Sequence, residues 1–167
     1  MKQNWRIFEK VLSGVQIVLG LLLLYVVATT ITEYYTILWK NPLFNHTSII
    51  EISFKKNYIL FILSLTSICS GLQLINNNQK GWIASIVTWT MCTILLAFSF
   101  YRITKNYPNE LNLTSKIVMS FFEITFIIIL VALNNSEFRK KYAPTKRSWI
   151  IISSAVGILT LAKLFYS

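Results

Sequence analysis

The sequence IVMSFFEITFIIILVAL, residues 117–133, decides the fold of this chain, because it is a long and almost entirely apolar run. A single ionisable residue, Glu123, interrupts it. A helix needs about 20 predominantly apolar residues to cross the hydrocarbon core of a bilayer, and residues 113–133 together reach that length. An ionisable side chain at the centre of a bilayer is costly, so such residues are usually hidden, paired or functional. Glu123 is therefore the first candidate for a functional residue.

Four further apolar runs of similar length follow the same pattern. The sequence predicts transmembrane helices at about 11–32, 58–75, 82–101, 113–133 and 149–166. Hydrophobic residues make up 54% of the chain and charged residues 13%, and the mean hydropathy is +0.57. The connecting segments are too short to bury a core of their own. We therefore predict an all-α, polytopic integral membrane bundle of five transmembrane helices that forms a single domain, residues 1–167.

The distribution of Lys and Arg predicts the orientation of these helices. Three basic residues lie among the first ten, and five lie between the fourth and fifth spans: Arg139, Lys140, Lys141, Lys146 and Arg147. The positive-inside rule places both segments in the cytoplasm. We therefore expect a protein of the cytoplasmic membrane with its N-terminus inside and its C-terminus outside.

The net charge of +10 has two readings. Basic proteins often bind nucleic acid, but here the charges flank predicted spans, as topology requires, and we expect no nucleic-acid partner. The five basic residues of the fourth connection are also suited to the headgroups of anionic lipids. Lipid is thus the first expected partner.

The longest connection, residues 33–57, lies on the predicted outer side. Pro42 is expected to end the first helix near Trp39. Ser48 and Glu51 have the spacing of a helix capping box, which predicts a short helix lying in the membrane interface. The alternation of Ile50, Ile52 and Phe54 with polar residues leaves a short strand as the alternative.

Small residues indicate where helices approach each other closely. The turn at 75–81 is short and makes the second and third spans an antiparallel hairpin. Ser67 and Gly71 on one, and Ala84 and Thr88 on the other, are expected to pack together.

The sequence offers few residues for catalysis. All six acidic residues are glutamates, the single histidine is His46, and the two cysteines form no CxxC motif. Metal-dependent chemistry generally requires clustered His, Asp or Glu. We expect no metal, no cofactor and no enzymatic activity.

Glu123 ends a polar stripe on the fourth span. Asn112, Lys116, Ser120 and Glu123 fall on one helical face at 3.6 residues per turn. Lys163 on the fifth span lies at a similar depth, so we predict a contact between Glu123 and Lys163, direct or through water. A second possible pair is Glu33 with Arg102, near the outer ends of their helices.

Two classes of function fit these residues. The first is a non-enzymatic accessory, assembly or regulatory subunit that contacts lipid and another membrane protein, or a second copy of itself. The alternative is a small oligomeric transporter or channel with Glu123 as a proton or cation site. A lipid-modifying enzyme is a distant third. Transporters often interrupt helices at their sites, and no proline lies inside a predicted span, which favours the subunit.

Overall fold

The computed structural model describes residues 3–40, 46–106 and 112–165, with the side chains of 4–40, 47–106 and 112–164. These residues form six helices: α1 (Gln3–Leu38), α2 (His46–Ile75), α3 (Gln79–Asn106), α4 (Leu113–Leu133), α5 (Ser136–Tyr142) and α6 (Lys146–Phe165). Five of them, all except α5, are long and apolar enough to cross a membrane. The all-helical prediction is confirmed for the part of the chain that the structure describes.

The first two helices are longer than predicted. At 1.5 Å per residue, the 36 residues of α1 span about 54 Å and the 30 residues of α2 about 45 Å, against about 30 Å of hydrocarbon. The segment predicted as a separate interfacial element is helical, but it is the start of α2 and continuous with the second span. The strand alternative is wrong. Ile49 and Ser53 in this segment are buried, so tertiary packing extends the helix. Pro42 lies outside the described residues.

Helices α1 and α2 pack closely along their length. A Cβ atom on Gly20 would lie 2.7 Å from the backbone oxygen of Ser64, and one on Gly71 would lie 2.8 Å from that of Ser13. Neither distance accommodates a side chain. Gly71 and Ser67 therefore face α1, whereas we had expected them to face α3. Thr88 does face α2, since its hydroxyl lies 3.5 Å from that of Thr66.

A polar seam runs between α1, α2 and α3. Its centre is Gln16, which is fully buried. The backbone oxygen of Gln16 accepts a hydrogen bond from the Ser67 hydroxyl (2.7 Å), and its side-chain oxygen accepts one from the Ser85 hydroxyl (3.0 Å). Because lipid offers no hydrogen bonds, these contacts give three helices a defined register.

Helices α4 and α6 each pack against α3. The ring of Trp89 on α3 lies 5.1 Å from that of Phe126 on α4, and Trp82 lies 5.7 Å from Trp149 on α6. Within α4, Leu133 is the one fully buried residue, and the rest of the helix is partly or largely exposed. The two helices are therefore peripheral, and each leaves an apolar face that the described residues do not cover.

The short helix α5 lies in the connection between α4 and α6 and was not predicted. Asn135 caps its start by accepting a hydrogen bond from the Glu137 backbone N–H (3.1 Å), and Ala143 ends it in the left-handed conformation, with φ of 41°. Phe138 and Tyr142 on its inner face are buried. They attach the basic segment to the body of the protein.

Candidate functional site

Among the described residues, the buried carboxylate is that of Glu9, which lies near the start of α1 and is only 5% exposed. Lys141 of α5 forms an ion pair with it at 2.5 Å, and the Tyr142 hydroxyl donates a hydrogen bond to its other oxygen. The Lys141 ammonium also donates to the side-chain oxygen of Asn77, in the turn after α2. This cluster joins α1, α2 and α5 at one end of the bundle, which the charge distribution predicts to be cytoplasmic.

The geometry of the cluster explains how a charge is tolerated there. Removing an ion pair from water is costly unless additional hydrogen bonds satisfy the remaining oxygens. Both carboxylate oxygens of Glu9 are occupied, one by Lys141 and one by Tyr142. Burial, reinforced by the hydrogen bond to Glu9, raises the pKa of the Tyr142 phenol above its usual value. The phenol therefore remains protonated and acts as a donor at any physiological pH.

Aromatic rings surround the attachment of α5 to this cluster. Phe138 makes edge-to-face contacts with Trp5 (5.6 Å) and Phe8 (6.0 Å) of α1, and its ring stacks on Tyr142 (6.3 Å). The ring of Tyr142 also stacks on that of Trp82 of α3, with 6.3 Å between the ring centroids. The position of the basic segment is thus set by buried rings as well as by charge.

The five basic residues predicted to bind lipid headgroups occupy different environments. Arg139 lies over the ring of Trp149 at 5.7 Å, and Lys141 is held by Glu9. Lys140 is exposed and lines a cavity with residues of α1. Lys146 and Arg147, at the start of α6, are exposed. The segment is therefore a folded element, and only part of its charge is available to a ligand.

The intramembrane residues predicted as a site lie on α4 and α6. Glu123 and Lys116 are partly buried, and Ser120 is exposed. Lys163 lines a gap of about 30 Å³ between α6 and α3, beside Ile94 of α3. Within the described residues, the ion pairs are those of Lys55 with Glu51 and Lys141 with Glu9, so Glu123 and Lys163 make no direct ion pair.

Two sets of contacts explain this separation. Both α4 and α6 pack against α3, and Lys163 lines a gap whose other walls come from α3 and α6. A contact of Glu123 with Lys163 through water remains a prediction. Glu33 and Arg102 are both exposed and likewise form no ion pair in the described part of the chain.

Sequence reasoning missed Glu9 and Gln16. Each carried a signal: Glu9 is an acid between Arg6 and Lys10, and Gln16 is an amide inside the first apolar run. Neither signal predicts which residue makes the contact, because Lys141 lies 132 positions along the chain from Glu9 and Ser85 lies 69 positions from Gln16.

Among the side chains of 4–40, 47–106 and 112–164, no group of three or more His, Cys, Asp or Glu residues is placed to hold a metal ion. Cys69 and Cys92 are free thiols. No known protein family, curated protein or solved structure matches this chain.

Proposed function

We propose that this chain is a non-enzymatic accessory or assembly subunit that binds a helix of another membrane protein through α4. The observation that carries the proposal is the position of Glu123, which is only partly buried on a helix long and apolar enough to cross a membrane. Counted from Leu113, Glu123 lies about 15 Å along the helix axis, near the middle of the hydrocarbon core.

The surroundings of Glu123 favour a partner from outside this chain. Its neighbours Ile124 and Ile127 on the helix surface are exposed and apolar, and Ser120 adds an exposed hydroxyl one turn away. A carboxyl group left facing lipid would be costly. A transmembrane helix that carries Lys, Arg or a hydrogen-bonding side chain at the same depth would remove that cost and cover the apolar face.

A second uncovered surface on α6 supports the same function. Ser153 and Gly157 are four residues apart and exposed, and a Cβ atom on Gly157 would meet nothing within 4 Å. Small residues at this spacing allow close approach of another helix in lipid. Both peripheral helices therefore present surfaces of the kind that associate with other membrane helices.

The proposal is tested by photo-crosslinking in native membranes. A photoreactive residue at Ile124, one position from Glu123, is expected to crosslink to a protein. Glu123→Gln retains a hydrogen-bonding group and is expected to preserve the crosslink, whereas Glu123→Leu abolishes it. The same photoreactive residue at Leu21, which is 55% exposed near the middle of the predicted first span and outside both proposed surfaces, is the positional control and is expected to crosslink to lipid.

The outcomes separate the candidate functions. Two outcomes contradict the subunit proposal. In the first, the residue at Ile124 crosslinks only to lipid; in the second, Glu123→Leu leaves the crosslink to protein unchanged. A crosslink to a second copy of this chain would replace the foreign partner with a homo-oligomer. If the purified chain in liposomes conducts protons or cations and Glu123→Gln stops the flux, the transporter or channel is the better assignment.

A further inference from the structure

A cavity of about 600 Å³ opens at the end of the bundle where Glu9 is buried. Its walls come from the first turns of α1, the last turn of α2 and the outer face of α5. This volume is within the range of about 300–1,000 Å³ that is usual for small-molecule sites in proteins. Four basic side chains line it: Arg6, Lys10, Lys140 and Lys141.

The charges in the cavity are not balanced by the protein. The two acidic residues in its wall are Glu9 and Glu137, and Glu9 is already paired with Lys141. Arg6, Lys10 and Lys140 are exposed, and within the described residues none of them makes an ion pair. Two net positive charges therefore remain for an anion. Arg6 can bind phosphate oxygens in a bidentate manner, and the two lysines add mobile point charges.

The chemistry of the rim points to an amphiphilic ligand. Ile75 lines the cavity and is 52% exposed, and Leu72, one turn earlier on α2, is 51% exposed. Val11, one residue after Lys10 on α1, is 58% exposed. Arg6 and Lys10 directly precede the first predicted span, which places the cavity at headgroup level. A ligand can thus bind its phosphate among the cations and lay an acyl chain beside these apolar residues.

We propose that this cavity binds the phosphate-bearing headgroup of an anionic phospholipid. The site extends beyond the basic segment 139–147, because half of its cations come from α1. The ion pair of Glu9 with Lys141 and the hydrogen bond from Tyr142 act as positioning contacts, which hold Lys140 on α5 opposite Arg6 and Lys10. The inference is independent of the partner helix proposed for α4.

The experiment compares two triple variants of the full chain that lose the same charge. The cavity variant is Arg6→Gln, Lys10→Gln, Lys140→Gln. The control variant is Lys80→Gln, Lys146→Gln, Arg147→Gln, whose residues are exposed, lie on the same predicted side and do not line the cavity. Native mass spectrometry then measures binding of phosphatidylglycerol, phosphatidylcholine and inorganic phosphate.

The wild-type chain is expected to prefer phosphatidylglycerol to phosphatidylcholine. Because the three cavity cations can donate charge-assisted hydrogen bonds directly to the phosphate, the cavity variant should lose that preference by at least about 10-fold. The control variant should lose less than about 3-fold, because its charges lie outside the cavity and act on the bound lipid only at a distance, where salt screens them. A charge-conserving variant, Arg6→Lys, Lys10→Arg, Lys140→Arg, is expected to retain most binding and shows that any loss is not a folding defect.

Three results would overturn the proposal. The first is equal binding of the two lipids by the wild-type chain. The second is an equal loss in both triple variants, which would assign the effect to the surface potential. The third is tight binding of inorganic phosphate that displaces the lipid and is lost in the cavity variant, which would make the ligand a free phosphate compound.

Discussion

Removing the ring of Phe138 should detach α5 from the bundle without unfolding the transmembrane helices. Phe138 is fully buried and contacts the rings of Trp5, Phe8 and Tyr142. Truncating a core Phe to Ala costs about 3–5 kcal/mol. At 1.36 kcal/mol per factor of ten, this cost increases the open population of α5 by about 160-fold to 5,000-fold.

A graded series separates the volume of the ring from its aromatic contacts. Phe138→Leu keeps most of the apolar volume and loses mainly the aromatic geometry of these contacts, so a smaller cost of about 1–2 kcal/mol is expected. Ser136→Ala, at an exposed position on the same helix, is the control and should change stability by less than about 0.5 kcal/mol.

Amide hydrogen exchange of the purified protein in detergent measures this effect directly. In Phe138→Ala, the hydrogen-bonded amides of 139–142 should exchange faster by the factor given above, whereas those of 58–75 in α2 should keep their protection. The lipid preference proposed for the cavity should fall in parallel, because Lys140 is then no longer positioned. Unchanged exchange in α5, or an equal loss of protection in α2, would refute the conclusion that buried rings attach α5 as a local unit.

Two further predictions concern packing and hydrogen bonding inside the bundle. Gly71→Ala should destabilise the protein by about 1–3 kcal/mol, because its Cβ would lie 2.8 Å from a backbone oxygen of α1. The control is Gly14→Ala, which should be neutral or stabilising because nothing lies within 4 Å of its Cβ position. Equal effects of the two variants in denaturant titrations would contradict the close packing of α1 and α2. Trp82→Phe should cost about 1–3 kcal/mol more than Trp89→Phe, since the indole N–H of Trp82 donates to the Leu133 backbone oxygen (3.0 Å) whereas the buried N–H of Trp89 has no partner among the described residues. Equal costs in the same titrations would show that the Trp82 hydrogen bond adds no stability.

The sequence predicted the helices well because membrane helices are encoded locally. A run of about 20 apolar residues must satisfy its backbone within itself in lipid, so length and composition suffice to identify it. The start of α2 was harder to predict. Whether residues 46–57 form a separate interfacial helix or extend the next span depends on what covers Ile49 and Ser53, and this is decided by tertiary packing.

The candidate sites were only partly predictable, because the sequence gives the depth of a residue along its helix but not which helices lie beside that helix. The helical rise gave Glu123 and Lys163 similar depths from their positions along the chain. It did not give the side-by-side arrangement, in which α4 and α6 each pack against α3 and Lys163 lines a gap between α3 and α6. For the same reason, Ser67 and Gly71 were predicted to contact α3, whereas in the structure they face α1.

By itself, the sequence determined the number of candidate spans, the basic character of the two segments at one end and the presence of an ionisable residue in the fourth span. These properties depend on hydropathy and charge within a short stretch of chain. Only the tertiary structure decided that Glu9 is buried, that Lys141 pairs with it from 132 positions away and that Arg6, Lys10 and Lys140 share one cavity. The physical reason is that helix adjacency follows from close packing among glycines, rings and buried hydroxyls, and no local pattern specifies that adjacency.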